Sequence, residues 1–255
     1  MSTSTRPKPR PSAPSATAPA FGAIRARAVK RKGGERILKS LLPPVSRAGP
    51  LAALGDDRVL AEMTKRIFSA GFVWSVIDKK WPGFEDAFLG FEPKRLLAQP
   101  DEFWEALASD RRIVRNGAKI MAVRANAKFV AAIAAEHGSF GKFLAAWPQS
   151  DIAGLLGLLA KRGARLGGMT GQYLLRFLGK DTFITSRDVV ACLRDAGLEI
   201  AEQPTSKRDL ARIQDQFNAW AKATRLPLTH LSRICAMSIG ENYDPETLRR
   251  YRGEE

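Results

Sequence analysis

Hydrophobic residues recur at helical spacing through almost all of the chain from Gly55 onward. In "DDRVLAEMTKRIFSAGFVWSVIDKKW", apolar positions return every three or four residues, which is typical of helices with one buried face. The Ala70-Gly71 pair predicts a break between two such helices. Alternation with a period of two is nearly absent, and "DTFITS" is too short to indicate a sheet. The pattern therefore predicts an all-α domain over residues 37–255.

The ends of several helices can be predicted from local signals. "AKIMAVRANAKFVAAIAAEHG" stops at Gly138, and glycine often ends a helix because it adopts the left-handed conformation without strain. "TSKRDLARIQDQFNAWAKATR" opens with Ser206 and Asp209 at the spacing of a capping box. We therefore expect one helix to end at Gly138 and another to begin after Ser206.

Residues 1–36 have a different composition and predict a disordered tail. Pro, Ser, Ala and Thr dominate this segment, and Phe21 is its only aromatic residue, so it has little apolar surface to bury. Nine Lys and Arg residues against one Glu give it about half of the net charge of the chain. We expect an arm that solubilises the protein or contacts phosphates without sequence specificity.

The overall charge narrows the class of partner. The 255 residues include 41 Lys and Arg against 26 Asp and Glu, a net charge of +15, which indicates nucleic acid or an anionic membrane surface. The only cysteines, Cys192 and Cys235, lie far apart and form no disulfide framework, as expected of an intracellular protein. No apolar run approaches the length of a membrane span, and no signal peptide is evident. We expect a cytoplasmic protein that binds nucleic acid and needs no cofactor.

The stretch "KRGARLGGMTGQYLLRFLG", residues 161–179, predicts two helices joined by a glycine hairpin. Gly163 would end the first helix in the left-handed conformation, and the second would start near Thr170. The free N–H groups of the second helix would face a phosphate that glycines allow to approach closely. The expected DNA contacts are Lys161, Arg162, Gly167, Gly168, Thr170 and Gly171. Close packing of the two helices explains the same glycines, and that alternative stays open.

Four segments occur in the order "AGFVWSVIDKKWPGFEDAFLGFEP", "RRIVRNGAKIMAVRANAKFV", "EHGSF" and "LLAKRGARLGGMTGQYLLRFLG". In order and spacing they resemble the 3-methyladenine DNA glycosylase I family, a branch of the helix-hairpin-helix DNA glycosylases, over most of residues 58–182. Arg115, Lys119 and Asn126 are polar residues at family positions, and we add Arg115 and Lys119 to the expected DNA contacts. The resemblance implies a two-lobed helical fold that clamps double-stranded DNA and takes an extruded base into its cleft. A monomer is expected for such a clamp.

The resemblance also implies a base-binding pocket. Trp74 matches the aromatic residue on which the family stacks its flipped, cationic base, and an indole face attracts such a base. The alternative is that Trp74 is a core residue at helical spacing with Phe72, Val76 and Ile77. Arg66 stands at the position of the family's pocket carboxylate, and Glu62, one turn earlier, is the nearest acid.

The metal site of the resembling family is not matched. Its Cys/His zinc clasp and its aromatic N-terminal motif have no counterpart in this chain. The two histidines, His137 and His230, and the two cysteines do not show paired ligand spacing. We therefore predict no metal site.

The remaining candidates concern the chemistry. Gln172 stands where bifunctional helix-hairpin-helix enzymes keep a lysine nucleophile, so an enzyme of this type would be monofunctional, with water as the nucleophile. Many members carry an aspartate after the second hairpin helix, which stabilises the sugar cation. Asp188 is our candidate for it, although a second register places Ser186 there and a helix cap explains Asp188 as well.

Two functional hypotheses follow. The leading one is a DNA repair glycosylase that flips an alkylated purine, similar to 3-methyladenine, and hydrolyses its N-glycosidic bond. Loss of a cationic base is intrinsically easy, so modest catalytic machinery suffices. The alternative is a non-catalytic helix-hairpin-helix protein that binds DNA or senses damage; the arginine at position 66 and the missing clasp favour it.

Overall fold

The computed structural model describes residues 19–45 and 48–250, and within them every regular element is helical. The predicted all-α class is confirmed. The α-helices in chain order are α1 Pro19–Lys32, α2 Glu35–Ser40, α3 Ala48–Ala52, α4 Asp56–Ser69, α5 Trp74–Ala87, α6 Pro93–Leu97, α7 Asp101–Leu107, α8 Gly117–His137, α9 Phe140–Ala146, α10 Ile152–Arg162, α11 Gly168–Phe177, α12 Arg187–Asp195, α13 Lys207–Thr224, α14 Leu228–Ser238 and α15 Pro245–Arg250. Two short 3₁₀ turns lie at Leu89–Phe91 and Gln149–Asp151.

The ends of the longer helices follow from local chemistry. Helix α8 begins after Asn116, whose side-chain oxygen accepts a hydrogen bond from the Lys119 backbone N–H at 3.1 Å. It ends at Gly138, which has a φ of 84° in the left-handed region, as the sequence predicts. Helix α13 follows Ser206, whose hydroxyl accepts from the backbone N–H of Asp209 at 3.0 Å. Both sequence-based helix ends are confirmed.

The helices pack into two lobes. The central lobe contains α3 to α9, and the long helix α8 contacts α4, α6, α7 and α9. The terminal lobe contains α1, α2 and α10 to α15, and α14 contacts α1, α12 and α13. Helix α11, the second helix of the glycine hairpin, packs against both α10 and α4. The hairpin therefore lies where the two lobes meet.

Part of the tail predicted to be disordered is a packed helix, so this prediction is wrong for α1. Phe21 is 1% exposed and Ile24 and Ala28 are also buried, three positions on one face of α1. The ring of Phe21 lies 5.2 Å from that of Trp220 in α13, and α1 packs along α14. Residues 1–18 of the predicted tail lie outside the described residues.

Two basic residues at the end of α1 hold the other end of the chain. The Arg31 guanidinium donates hydrogen bonds to the backbone carbonyls of Met237 at 3.2 Å and of Gly240 at 2.7 Å. Lys32 is buried, and its ammonium donates to the Asn242 side chain at 2.8 Å. Cations at a helix C-terminus satisfy its free carbonyls and oppose its negative end. These charges therefore stabilise the fold and are not available to a DNA-binding arm.

The two cysteines lie on neighbouring helices of the terminal lobe. Cys192 in α12 and Cys235 in α14 are both buried, and the Cys192 sulfur lies 3.4 Å from the Ser238 hydroxyl. Across residues 19–45 and 48–250, no three His, Cys, Asp or Glu side chains are grouped so as to hold a metal ion.

No single described helix is long and apolar enough to cross a membrane. The pair Phe140–Ala146 and Gln149–Arg162, bent by 94°, meets that test only jointly, by length and composition.

Candidate base-binding and DNA-binding site

The glycines of the hairpin are required for different structural reasons. Gly163 ends α10 with a φ of −91°, so the expected left-handed end is wrong; a Cβ there would lie 2.5 Å from Leu166 Cδ1. Gly171 is buried, and a Cβ would lie 2.4 Å from the Leu166 carbonyl oxygen. Gly171 is therefore needed for packing within the hairpin, and its assignment as a DNA contact stays a prediction.

The start of the second hairpin helix is exposed. Helix α11 begins at Gly168, two residues before the expected Thr170, and Gly168 has a φ of 58°. A Cβ on Gly168 would meet nothing within 4 Å, so glycine is needed there for conformation and not for space. The N-cap, Gly167, supplies no side-chain acceptor to the first N–H groups of α11. These groups are available to solvent or to a phosphate.

A buried asparagine fixes the hairpin loop to the central lobe. Asn126 in α8 is fully buried, and its amide nitrogen donates to the Ala164 carbonyl at 3.0 Å. Its amide oxygen accepts from the Ala164 backbone N–H at 2.8 Å. The Asn126 side chain thus supplies the hydrogen-bond partners that the backbone N–H and carbonyl of Ala164 would otherwise need from another backbone segment. The sequence singled out Asn126 as a polar residue that packing does not dictate, and this pairing is its physical reason.

The basic residues near the hairpin are not equivalent. Arg162 pairs with Glu136 at 2.9 Å, and its guanidinium lies 5.5 Å from the centroid of the Phe129 ring. Lys161, Arg115 and Arg165 are exposed and form no ion pair within the part of the chain that the structure describes. Exposed, unpaired cations are the ones that can neutralise phosphates without first breaking a contact. Arg165, which has a positive φ of 59°, was missed by the sequence reasoning.

Lys119 is a structural cation, which corrects its prediction as a DNA contact. It is 8% exposed, and its ammonium donates hydrogen bonds to the backbone carbonyls of Ala70 at 2.7 Å and Phe68 at 3.2 Å. It also lies 4.7 Å from the centroid of the Phe72 ring. Burial and the nearby Arg165 charge lower the pKa of Lys119. The residue caps the C-terminus of α4 and fixes the turn that leads to α5.

That turn presents Trp74 to the second hairpin helix. Trp74 is the first residue of α5 and is 37% exposed, so the alternative of a fully buried core residue is excluded. Its ring centroid lies 5.5 Å from that of Tyr173, edge-on, and 5.7 Å from that of Phe177. Tyr173 and Phe177 are one turn apart on α11. Phe72 and Val73 of the same turn are also exposed, so the cluster is an apolar surface beside the hairpin.

Arg66 is in contact with this aromatic cluster. Its guanidinium carbon lies 4.7 Å from the centroid of the Trp74 ring and 4.0 Å from that of Phe177, and the residue is 5% exposed. We call the space between these two rings, which Arg66 fills, the aromatic cage. Arg66 therefore stands at the cation–π position where a positively charged base was expected.

Glu62 holds the guanidinium from the side of α4. One of its carboxylate oxygens, Oε1, lies 2.7 Å from Arg66 Nε, but the two atoms are not aligned for a hydrogen bond. Nη1 of Arg66 has no hydrogen-bond partner among the described residues. Burial raises the pKa of Glu62 and lowers that of Arg66. Glu62, which the sequence suggested as the base-binding acid, is thus the counter-ion of Arg66.

The candidate catalytic residues lie at the start of α12. Ser186 is the N-cap of α12, and its hydroxyl accepts from the Val189 N–H at 3.4 Å. Asp188, in the first turn, packs its carboxylate against the end of α14: a Cβ on Gly240 would lie 2.5 Å from Asp188 Oδ1. Within the described residues no recorded contact joins Asp188 to Trp74 or Glu62. The catalytic role of Asp188 stays a prediction.

Gln172 connects the hairpin helix to the segment before α12. Its amide nitrogen donates to the Thr185 hydroxyl at 2.8 Å, and its amide oxygen accepts from the Thr185 N–H at 2.6 Å. The residue is buried, so it positions the start of α12 relative to α11. It supplies no amine at this point of the hairpin.

A groove runs from the hairpin between α10, α11, α12 and α13. It has a volume of about 1660 Å³, and its wall includes Lys161, Arg162 and Gly168 on the hairpin side. The opposite wall carries Arg187, Arg194 and Lys207, of which Arg194 pairs with Glu202 at 3.1 Å. The sequence analysis missed these cations because it considered only the hairpin itself. The groove extends the basic surface of the hairpin.

The structure has an exposed glycine hairpin at the junction of two helical lobes, with an aromatic cluster against the second hairpin helix. The sequence model of the methyladenine glycosylase family matches residues 52–153 of this chain. The resemblance predicted from the sequence is thereby confirmed. The matched segment contains Glu62, Arg66 and Trp74 and ends before the hairpin.

Solved structures of DNA glycosylases are similar to this chain. One is 3-methyladenine DNA glycosylase I from Staphylococcus aureus, with 24% identity over 49% of this chain and 77% of that chain, and a TM-score of 0.45. Another is the 8-oxoguanine glycosylase/lyase of Methanocaldococcus jannaschii in complex with DNA containing 8-oxoguanine. It has 14% identity over 84% of this chain and 95% of that chain, and a TM-score of 0.47.

Proposed function

We propose that the protein is a monofunctional DNA N-glycosylase that binds double-stranded DNA as a monomer and receives an extruded base against Trp74. The observation that carries the proposal is the half-exposed Trp74 ring, which is held against the second hairpin helix by Tyr173 and Phe177. A hairpin that contacts phosphates beside an aromatic surface supplies the two parts that base extrusion requires.

The reaction would be a hydrolysis at the sugar. The oxygen of a water molecule forms a bond to C1′, the N-glycosidic bond breaks, and its electron pair leaves with the base. One proton of the water passes to a base on the protein or to solvent, and the other stays in the hydroxyl group on C1′. A cationic base departs neutral, whereas a neutral base departs as an anion that takes up a proton from solvent. Gln172 has no nucleophilic amine, and the Lys119 ammonium is engaged by carbonyls. Water is therefore the nucleophile that the hairpin region supports.

The sequence-based expectation of an alkylated, cationic purine receives mixed support. The Trp74 ring suits stacking with any purine, and a cationic one most of all. Arg66, however, places a positive charge on the same ring at 4.7 Å. A cationic base would have to displace that guanidinium or share the cage with it.

The non-catalytic alternative is favoured by one specific observation. Arg66 fills the cage in the free protein, and the carboxylate of Asp188 packs against Gly240. A protein that extrudes a base without releasing it would need only the hairpin and the aromatic surface.

Formation of apurinic sites separates the two functions. The purified protein would be incubated with one duplex sequence carrying 3-methyladenine, 7-methylguanine, hypoxanthine or no lesion, and strand breaks after alkali would be counted. We expect cleavage on at least one lesion duplex, loss of cleavage in Trp74→Ala, and none on the undamaged duplex. The control is Trp147→Ala, because Trp147 is a partly exposed indole at the opposite end of α10 from the hairpin.

The same reactions with borohydride test the monofunctional mechanism. No protein–DNA adduct should be trapped, since an imine requires an amine that Gln172 lacks. Trapping of an adduct would contradict water as the nucleophile. Lesion-specific binding without any strand breaks would establish the non-catalytic alternative.

A further inference from the structure

Neither functional hypothesis gives Arg66 a role in binding the base. Arg66 is enclosed by Trp74 and Phe177 at 4.7 and 4.0 Å, and it reaches this position from α4 across the turn that precedes α5. A buried polar side chain normally satisfies each of its N–H groups, because an unpaired one loses its hydration without compensation. Nη1 of Arg66 has no partner within the described ranges, and its Nε is only ion-paired.

The arrangement leaves a buried hydrogen-bond donor without an acceptor beside the Trp74 ring, which would receive a base. Nε of the guanidinium faces Glu62, and Nη1 is a buried donor for which the described residues supply no acceptor. A planar guanidinium binds two adjacent acceptors in one plane, and the N7 and O6 atoms of a purine with a carbonyl at C6 are such a pair. An alkylated, cationic purine instead presents a positive charge to the guanidinium, and in 7-methylguanine the methyl group also blocks the N7 acceptor.

We propose that Arg66 makes this site select an extruded, neutral 6-oxopurine, of which hypoxanthine is the probe, and disfavour cationic alkylpurines. The inference rests on the proposed function, because it assigns a substrate class to the same base-binding surface. Unmodified guanine is also a 6-oxopurine, but it is held in a stable pair with cytosine. Hypoxanthine opposite thymine is paired weakly and is extruded at lower cost.

The same guanidinium fits the chemistry of a neutral leaving group. When the N-glycosidic bond of hypoxanthine breaks, its electron pair stays on the purine, which becomes an anion unless it is protonated. A donor fixed at N7 and O6 stabilises that developing charge, and a buried, pre-oriented guanidinium does so without reorganisation. A cationic base departs neutral and gains nothing from it. Arg66 therefore favours the neutral purine both in binding and in the bond-breaking step.

The test compares binding by the full-length protein of duplexes that differ in one base. The central pair is hypoxanthine opposite thymine, 7-methylguanine opposite cytosine, or guanine opposite cytosine, and affinities are measured by fluorescence anisotropy. The variants are Arg66→Gln, Arg66→Glu and Trp74→Ala. The matched control is Arg124→Gln, since Arg124 also lies over a tryptophan, Trp104, at 5.7 Å and pairs with Asp101 at 2.7 Å on the central lobe.

Each variant is compared with the wild type on the same duplex, so that the cost of opening the base pair cancels. We expect Arg66→Gln to lose roughly tenfold in affinity for the hypoxanthine duplex, the loss of one bidentate contact, and to gain affinity for the 7-methylguanine duplex. Arg66→Glu should reverse the wild-type preference between the two lesions. Arg124→Gln should change neither affinity.

The outcomes separate this inference from the proposed function. If Trp74→Ala loses lesion binding but Arg66→Gln binds the hypoxanthine duplex as tightly as the wild type, the base site stands and the role of Arg66 is refuted. If Trp74→Ala binds every lesion duplex as the wild type does, the proposed function itself fails. Should the Arg66 variants not fold, a wild-type preference for 7-methylguanine over hypoxanthine would overturn the inference without them.

Discussion

Replacement of Asn126 with alanine should loosen the hairpin from the central lobe. The side chain is fully buried and makes two hydrogen bonds with Ala164, at 2.8 and 3.0 Å. Its removal leaves one N–H and one carbonyl of Ala164 without a partner, at about 1–3 kcal/mol each, and Ala164 is only half-buried, so the lower part of that range applies. We expect Asn126→Ala to lower the free energy of unfolding by about 2–4 kcal/mol.

The same change should weaken DNA binding. Without the Asn126 side chain, residues 163–167 would lose their fixed conformation and would have to regain it when the loop contacts the phosphates. Fixing one backbone residue costs about 1–2 kcal/mol, so the affinity for an undamaged duplex should fall at least about fivefold. Urea denaturation gives the first quantity and fluorescence anisotropy the second. The matched control is Asn218→Ala, because Asn218 also makes two amide hydrogen bonds, one to the Ser150 carbonyl and one from the Gln214 side chain, both at 2.9 Å. This change should cost about 1–2 kcal/mol of stability and leave the DNA affinity unchanged.

A result in which Asn126→Ala and Asn218→Ala are equally stable and bind DNA equally well would refute this reasoning. It would mean that the loop keeps its conformation through Gly163 and Leu166 alone. A loss of stability without a loss of DNA affinity would keep Asn126 as a structural residue and remove the hairpin from the DNA interface.

Three further predictions concern helix α1, Lys119 and the hairpin. Phe21→Ala should lower the free energy of unfolding by about 3–5 kcal/mol in urea titrations, the usual cost of emptying a buried phenylalanine site; a cost below 1 kcal/mol would contradict the docking of α1. Lys119→Met should lower the melting temperature, because the α4 carbonyls lose their donor, and should leave the salt dependence of duplex binding unchanged. A flatter salt slope would restore Lys119 as a phosphate contact. Gly168→Val should weaken binding to every duplex alike, because a branched side chain is strained at a φ of 58° and shields the α11 N-terminus. Unchanged affinity in a folded variant would make the hairpin a packing device only.

Local features of the fold could be read from the sequence, because their causes lie within a few residues. The spacing of apolar residues predicted helices, and Gly138 and Ser206 marked helix ends through their own backbone and side-chain chemistry. The hairpin was likewise recognised from its glycines. The roles of Gly163 and Gly171 were not, since they depend on where Leu166 turns back into the hairpin.

Features that depend on distant partners could not be predicted. Helix α1 exists as an ordered element because Phe21 reaches Trp220, and a Pro- and Ala-rich composition does not reveal that partner. Lys119 looked like a DNA contact because no local signal shows that its ammonium reaches the carbonyls of Phe68 and Ala70. Arg66 was noticed as a substitution, but its position over the Trp74 ring depends on the turn between α4 and α5.

The docking of α1 on α14 also has a consequence for biosynthesis. The central lobe is continuous in sequence, so its helices can associate as soon as they leave the ribosome. The terminal lobe is different, because Arg31 binds the carbonyl of Gly240, 209 residues later in the chain. Contacts of such high sequence separation form late, since a long loop must close before they contribute. Helix α1 must therefore wait, with the apolar face of Phe21 uncovered, until α14 has been synthesised.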